Sequence, residues 1–180
     1  QNLGQTKAES KHITILLSDI RGFTAIAETY SAMLVVDMLN RYFSRMCQVI
    51  VKHGGTIDKF MGDSIMVLFG APVAGQHDVE RAIACAVEMQ LAMTDINAQN
   101  YALNMPELFI GIGINSGVVV AGPLGGDLHS EYTVIGDEVN ITSRIEAHSL
   151  RGQILISEAT YQIASEFIEV GPPNRVQVKG

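Results

Sequence analysis

The sequence predicts an α+β fold in which a mixed β-sheet forms the core and helices flank it. Strand-like and helix-like segments alternate along the 180-residue chain without internal repeats. A tight turn at Met61-Gly62-Asp63 joins two strand-like runs, which makes those strands antiparallel and excludes a strictly parallel sheet. A hydrophobic content of 47% is enough for one domain with a sizeable core.

The first half of the chain is predicted to supply three strands and a long helix. Residues 1–10 are polar and patternless, so they are interpreted as a linker remnant and the domain is expected to span 11–180. Short apolar runs rich in β-branched residues predict strands at 13–17, 56–60 and 64–69. Apolar residues spaced by three and four predict a helix over 31–53, and Thr24 is expected to cap a shorter helix.

The second half alternates in the same way. A periodic apolar face predicts a helix over 77–97, and the glycine-rich segment 122–126 is predicted to be a flexible loop. Further strands are predicted at 108–114, 117–120, 132–135, 153–156, 167–170 and 176–178, and further helices at 136–147 and 157–165.

Charge and hydropathy argue against two classes of protein. A formal net charge of -7 argues against a broad nucleic-acid-binding surface, which needs a basic stripe. No run approaches the roughly 18 apolar residues of a membrane span, so a cytoplasmic domain that does not itself insert into a membrane is expected. The chain opens with Gln1 and stops within a strand-like run, so we expect a piece of a longer protein.

Two aspartates follow apolar strands closely. Asp19 comes at the exit of the first predicted strand, and Asp63 occupies the hairpin turn. If these strands are neighbours, both carboxylates emerge at one end of the sheet, where they repel each other unless a proton or a cation lies between them. Mg²⁺ needs few protein oxygens when substrate phosphates complete its shell. Spacing alone leaves open the alternative that Asp63 only favours the turn and Asp19 only caps the next segment.

The segment Ile20-Arg21-Gly22-Phe23-Thr24 predicts a turn from a strand into a helix. The free amides at the start of such a helix can bind an anion. Glycine is common in turns of this kind, so the segment alone identifies no ligand. Placed directly after a metal-binding aspartate, it is interpreted as a cradle for a triphosphate.

Four segments resemble the catalytic domains of class III adenylyl and guanylyl cyclases. They are LLSDIRGFT (16–24), DKFMGDSIMVLFGAP (58–72), GIGINSG (111–117) and EYTVIGDEVNITSRIE (131–146), in the order found in that family. The resemblance implies a ferredoxin-like core and a head-to-tail homodimer with two equivalent active sites, each built from both subunits. It also implies two Mg²⁺ or Mn²⁺ ions per site and a regulatory or sensory domain preceding this one.

The resemblance assigns metal and phosphate ligands by position. The matching metal ligands and phosphate-binding amides are Asp19, Asp63 and the carbonyl of Ile20, and then Gly22, Phe23 and Thr24. The same resemblance implies intramolecular transfer, in which the ribose 3′-hydroxyl attacks the α-phosphate and pyrophosphate leaves.

Two positions supplied by the other subunit are matched by Asn140 and Arg144. Their spacing of four on a predicted helix puts both side chains on one face. The resemblance implies that Arg144 stabilises charge developing on the α-phosphate and that Asn140 positions the ribose. Without the motif, an exposed Arg144 paired with Glu138 or Glu146 would be the simpler interpretation.

Base selection is assigned to Lys59 and Thr133, which match the two specificity positions of the family. Lysine can only donate, which suits the N1 acceptor of adenine, and a threonine oxygen can accept from the exocyclic amine. Guanine reverses both requirements, so ATP is the expected substrate. Threonine at the second position resembles the subgroup that includes bicarbonate-responsive cyclases.

The C-terminal lysine of the family is matched by Lys179, although an exposed lysine near a chain end is an alternative. The chain departs from the family pattern at Gly111, where some relatives carry a phosphate-binding arginine, and it lacks the final strand expected after Gly180. The sequence thus predicts an adenylyl cyclase domain. A guanylyl cyclase and a catalytically silent dimerisation or nucleotide-binding module stay open as alternatives.

Overall fold

The structure, a computed structural model, describes residues 7–173 of the chain. Strands and helices alternate through them as the sequence predicts. Their bounds are β1 (Glu9–Ile20), α1 (Phe23–Thr29), α2 (Ala32–Lys52), β2 (Thr56–Met61), β3 (Ser64–Phe69), α3 (Asp78–Ala102), β4 (Ile110–Gly126), β5 (His129–Ile135), α4 (Asp137–Ala147), β6 (Ile154–Ile156) and α5 (Glu158–Ala164).

One mixed sheet holds all six of these strands, in the order β2-β3-β1-β4-β5, with β6 parallel to β4. The central strand β1 is antiparallel to both β3 and β4, and β3 is antiparallel to β2. Strands β1 and β2 therefore run parallel with β3 between them, and β3 and β4 run parallel with β1 between them. These two interleaved βαβ units form a ferredoxin-like core, which confirms the predicted α+β fold.

Side chains alternate between two hydrophobic clusters, one on each face of the sheet. In β1, Leu16 belongs to the larger cluster with α2 and α3, whereas Ile15 and Leu17 belong to the smaller cluster on the opposite face. Helix α4 packs on that opposite face, where Val139 contacts the smaller cluster. The sheet is therefore covered on both sides around its central strand.

Glycines in β4 allow α4 to lie unusually close to the sheet. A Cβ atom at Gly113 would lie 2.6 Å from the backbone nitrogen of Glu146, and one at Gly117 would lie 2.6 Å from the side chain of Glu138. Neither approach leaves room for a side chain. The two glycines therefore set the distance between the sheet and the helix that carries Asn140 and Arg144.

The structure corrects several predicted elements. Residues 122–126, predicted as a loop, continue β4, which is one strand rather than two, because β5 pairs with 120–126 and supplies the hydrogen-bonding partners. Strand β1 begins at Glu9, within the segment interpreted as a linker. Helix α3 runs to Ala102, and residues 167–170 form no strand within the described chain. The predicted strand at 176–178 lies outside the described residues.

Within residues 7–173, none of the helices is both long and apolar enough to cross a membrane.

We predict that Gly113→Ala destabilises the protein by about 1–3 kcal/mol, because the new methyl group must push the end of α4 away from the sheet. Gly126→Ala is the matched control, since a Cβ there meets no atom within 4 Å, and it should change stability by less than about 0.5 kcal/mol. Urea denaturation of both variants checks this. Equal losses would contradict the close contact between β4 and α4.

Candidate active site

The ends of β1 and the β2–β3 hairpin bring Asp19 and Asp63 together. Asp19 is the second-last residue of β1, and Asp63 lies in the turn between β2 and β3. A carboxylate oxygen of Asp63, Oδ2, accepts a hydrogen bond of 2.8 Å from the amide of Ile20. The carboxylate of Asp63 therefore binds the strand that carries Asp19, instead of only stabilising its own turn.

Electrostatics at this pair favour a cation. Burial raises the pKa of Asp63 above its ordinary value, the hydrogen bond from Ile20 lowers it, and the neighbouring Asp19 raises it again. One oxygen of Asp19, Oδ1, is buried and accepts no hydrogen bond. A positive charge between the two carboxylates would remove their mutual repulsion and would offset the free-energy cost of burying them.

The available oxygens suit a hard divalent ion. Two carboxylates and the backbone carbonyl of Ile20 are ligands that Mg²⁺ or Mn²⁺ accepts. Within the described residues, no group of three His, Cys, Asp or Glu side chains could hold a metal ion. An ion bound here would therefore need backbone, water or phosphate oxygens to complete its shell.

The predicted turn after Asp19 is present. Gly22 adopts a positive φ of 73°, which favours glycine, and α1 begins immediately after it. Thr24 lies inside α1 and does not cap it, because the N-cap is Gly22, two residues earlier. The first amides of α1 have no acceptor within the helix and face outward from its start.

Arg21 joins this strand end to the C-terminal end of α4. Its guanidinium lies 3.3 Å from Oδ1 of Asp19 and donates hydrogen bonds to Glu146, at 2.5 Å to the carbonyl and 3.0 Å to Oε1. It also donates to the hydroxyl of Ser149. Sequence reasoning treated Arg21 only as part of the turn and missed this role, as it missed Glu146.

The glycine at 111 makes room for that guanidinium. A Cβ atom at Gly111 would collide with the Arg21 guanidinium and with the hydroxyl of Ser149. Gly111 matches the position where some relatives carry an arginine. Here a guanidinium does lie over that position, but it comes from Arg21. The signal available in the sequence was a glycine inside a predicted strand.

Glu146 is a buried carboxyl group with a strongly shifted proton affinity. Only 5% of the residue is exposed. The pKa of Glu146 is raised to about 8, first by burial and then by the adjacent Asp19, while Arg21 opposes the shift. Glu146, Asp19 and Arg21 therefore form one electrostatically coupled group, which joins the end of β1 to the last turn of α4.

Asn140 and Arg144 lie on α4, four residues apart and hence on one face, as predicted. Asn140 is exposed, and one terminal nitrogen of Arg144, Nη1, is buried without a hydrogen-bond partner. The predicted alternative, pairing with Glu138 or Glu146, is not observed.

Those two glutamates have other partners. Glu138 accepts a 2.7 Å hydrogen bond from the side chain of Asn115, and Glu146 binds Arg21. Within residues 7–173, no hydrogen bond or ion pair joins Arg144 to Asp19 or Asp63. The chain therefore keeps its aspartates and its α4 arginine apart.

The two predicted base-selecting residues lie on different strands. Lys59 in β2 is half exposed and lies 3.6 Å from the carboxylate of Asp58. Thr133 in β5 donates a long hydrogen bond of 3.5 Å to the carbonyl of Glu131. No hydrogen bond joins Lys59 and Thr133 in the described part of the chain. Lys179 lies outside the described residues.

A family model and several known proteins match this chain. The model of the adenylate and guanylate cyclase catalytic domain matches residues 6–180. Adenylate cyclase 1 of Rhizobium meliloti (strain 1021) is 32% identical over 181 residues, which are 99% of this chain and 27% of that protein. The chain thus spans about a quarter of the length of that relative.

Solved structures match over nearly the whole chain. The guanylyl cyclase Cya2 is 48% identical, with a TM-score of 0.92, over 98% of this chain and 88% of its own. The adenylyl cyclase CyaB from P. aeruginosa is 38% identical, with a TM-score of 0.92, over 97% of this chain and 90% of its own. Relatives of this fold thus include both an adenylyl and a guanylyl cyclase.

We predict that, in metal-free buffer, the protein loses stability as the pH rises from about 5 to about 8. Because the pKa of Glu146 is raised from 4.5 to about 8 in the folded chain, the folded chain holds a proton there that the unfolded chain has released. This contribution is complete at pH values below the unfolded pKa, and its loss is at most about 1.4 kcal/mol per pH unit.

Glu146→Gln cannot titrate and should flatten this slope in urea denaturation at several pH values. Glu138→Gln, on the same helix, should keep the wild-type slope. An unchanged slope in Glu146→Gln would contradict the assignment.

Proposed function

Because the chain belongs to the family of adenylate and guanylate cyclase catalytic domains, we propose that it is an adenylyl cyclase domain acting in signal transduction. It converts ATP to 3′,5′-cyclic AMP and pyrophosphate at the interface of a head-to-tail homodimer. The observation that carries this proposal is the adjacency of Asp19 and Asp63, joined through the amide of Ile20. Two adjacent carboxylates at the end of a sheet, with one guanidinium shared between Asp19 and Glu146, are a fitting site for cations that bind a triphosphate.

In this proposal Asp19, Asp63 and the carbonyl of Ile20 hold two Mg²⁺ or Mn²⁺ ions. When bound, the ions supply Lewis-acid activation of the ribose 3′-hydroxyl and neutralise charge on the departing pyrophosphate. Arg21 orients one of the two carboxylates, since it contacts Oδ1 of Asp19 and is itself fixed by Glu146.

The remaining groups position the nucleotide. The amides at Gly22, Phe23 and Thr24 donate hydrogen bonds to the phosphates, supported by the turn that the positive φ of Gly22 creates. Arg144 of the other subunit donates to the α-phosphate as charge develops there. Asn140 of the same helix positions the ribose, and Lys179 contacts the terminal phosphates.

Base selection follows from donors and acceptors. Lys59 donates to N1 of adenine, and the hydroxyl of Thr133 accepts from the exocyclic amine. A guanine in the same place would put its own N1–H against the lysine, and each unpaired donor would cost about 1–3 kcal/mol.

A homodimer is supported by exposed apolar side chains on β4 and β5, on the sheet face opposite to α4. Val120 and Ile135 are cross-strand partners in β4 and β5, and both are about half exposed, as is Val118 on the same face of β4. A second copy of the chain would bury this apolar group and bring a second α4 to the aspartates.

A guanylyl cyclase is the second candidate. It is favoured by the 48% identity to Cya2, which is a guanylyl cyclase. Lys59 is the observation against it. A catalytically silent module has less support, because every matched position within the described residues holds a residue able to perform its role.

We predict that the purified domain forms cyclic AMP from ATP with Mn²⁺ or Mg²⁺, and forms cyclic GMP from GTP at least about tenfold less efficiently. Product formation by chromatography at equal nucleotide concentrations checks this. Preference for GTP would overturn the role assigned to Lys59. No product from either nucleotide would favour the silent module.

We further predict that mixing Asp19→Ala with Arg144→Ala restores activity to about a quarter of the wild-type value, because half of the randomly formed dimers each regain one of two sites. Each variant alone should be nearly inactive. Mixing Asp19→Ala with Asp63→Ala is the matched control, since both changes fall in the same half of a site, and it should restore nothing. Equal behaviour of the two mixtures would contradict sharing of sites between subunits.

A further inference from the structure

The edge strand β2 has an irregularity just before its end. Ile57 pairs with Val67 of β3, but Lys59 pairs with Met66, so two steps along β2 match one step along β3. Asp58 is the extra residue, which makes this a β-bulge. Bulges of this kind redirect the side chains that follow them.

The bulge moves Lys59 to the other face of the sheet. In a regular strand, residues two apart share a face, so Lys59 would point the same way as Ile57, toward α2. Instead its cross-strand partner Met66 belongs to the smaller cluster, whereas Val67, the partner of Ile57, belongs to the larger one. Lys59 therefore lies on the face that carries the smaller cluster.

The next residue supports this assignment. Phe60 packs against Phe43 of α2, with ring centroids 4.5 Å apart, so Phe60 is on the α2 face. Regular alternation resumes after the bulge. The shift of Lys59 is thus a consequence of one inserted residue.

The inserted residue is also the partner of the lysine. The side chain of Asp58 is only 6% exposed, and its Oδ2 accepts no hydrogen bond but lies 3.6 Å from the ammonium of Lys59. Burial raises the pKa of Asp58, Lys59 lowers it, and Glu131 of β5 raises it. A buried carboxylate without another donor depends on the neighbouring cation.

We propose that Asp58 is a positioning residue for base selection: the bulge and the Asp58 carboxylate together hold the Lys59 ammonium where it meets the purine. This inference rests on the proposed function, in which Lys59 donates to adenine. At 6% exposure Asp58 is too buried to touch a base itself. The pair with Asp58 is an ion pair at 3.6 Å without a hydrogen bond, so the three N–H donors of the ammonium stay available to the nucleotide.

Loss of Asp58 leaves a flexible four-carbon stem unanchored. Asp58→Asn keeps the shape of the side chain but removes its charge. We expect the ratio of kcat/KM for ATP to that for GTP to fall about tenfold, the discrimination of one hydrogen bond. The loss should appear mainly as a higher KM for ATP. The contact with the base is equally strong in the bound substrate and in the transition state, so its loss should leave kcat nearly unchanged.

A double-mutant cycle separates this role from simple support of the strand. Lys59→Gln should also lower the ATP-to-GTP ratio, and adding Asp58→Asn to it should change the ratio no further. Glu88→Gln is the matched control, since it removes a different ion pair, with Lys52, and should leave the ratio unchanged. If Asp58→Asn does not fold, Asp58→Ser serves in its place.

The ratio of dissociation constants for ATP and GTP, measured by titration with Ca²⁺ present, gives the same comparison without turnover. An ATP-to-GTP ratio that Asp58→Asn leaves unchanged in kinetics and in binding overturns the inference, even with a fully active adenylyl cyclase. A wild-type domain that makes no cyclic nucleotide overturns the proposed function, and the binding ratio then still decides the role of Asp58.

Discussion

The proposed site depends on an excess of carboxylates over cations at one end of the sheet. Asp19, Asp63 and Glu146 influence one another there, and Arg21 is the cation that contacts two of them. One guanidinium cannot neutralise three carboxylates. The excess raises the pKa of Glu146, which favours its protonated form, and Oδ1 of Asp19 is left without a hydrogen bond. A divalent ion is the remaining way to balance the charge, and the electrostatics thus favour binding of cations accompanied by phosphates.

The topology brings these groups together from distant parts of the chain. Because β1 lies between β3 and β4, its end meets both the hairpin turn that carries Asp63 and the start of β4 at Gly111. Gly113 lets α4 approach within contact of β4, so that Glu146 reaches Arg21. A side chain at either glycine would separate the helix from the strand end. The glycines of β4 are therefore part of the electrostatic arrangement as well as of the packing.

Sequence reasoning predicted what depends on local pattern and missed what depends on distant partners. The apolar run before Asp19 and the turn at Asp63 predicted that the two carboxylates share one end of the sheet if their strands are neighbours, and the pairing of β1 with β3 meets that condition. Arg21 was not assigned its role, because its partners lie 125 and 128 residues away. The bulge at Asp58 was equally hidden, since Ile57-Asp58-Lys59 has the pattern of a regular strand. The loop predicted at 122–126 was wrong because pairing with β5 outweighs the low strand propensity of glycine.

One consequence concerns the two sites of the proposed dimer. Asp19 and Arg144 of one chain would serve different sites, so a single subunit contributes to both. Arg21 nevertheless joins the strand that carries Asp19 to the last turn of α4, two residues beyond Arg144. In that dimer, an ion bound at Asp19 would compete with the guanidinium for Oδ1 and would so change the interaction of Arg21 with Glu146. The contact of Arg21 with Glu146 would then link occupation of one site to the helix that completes the other.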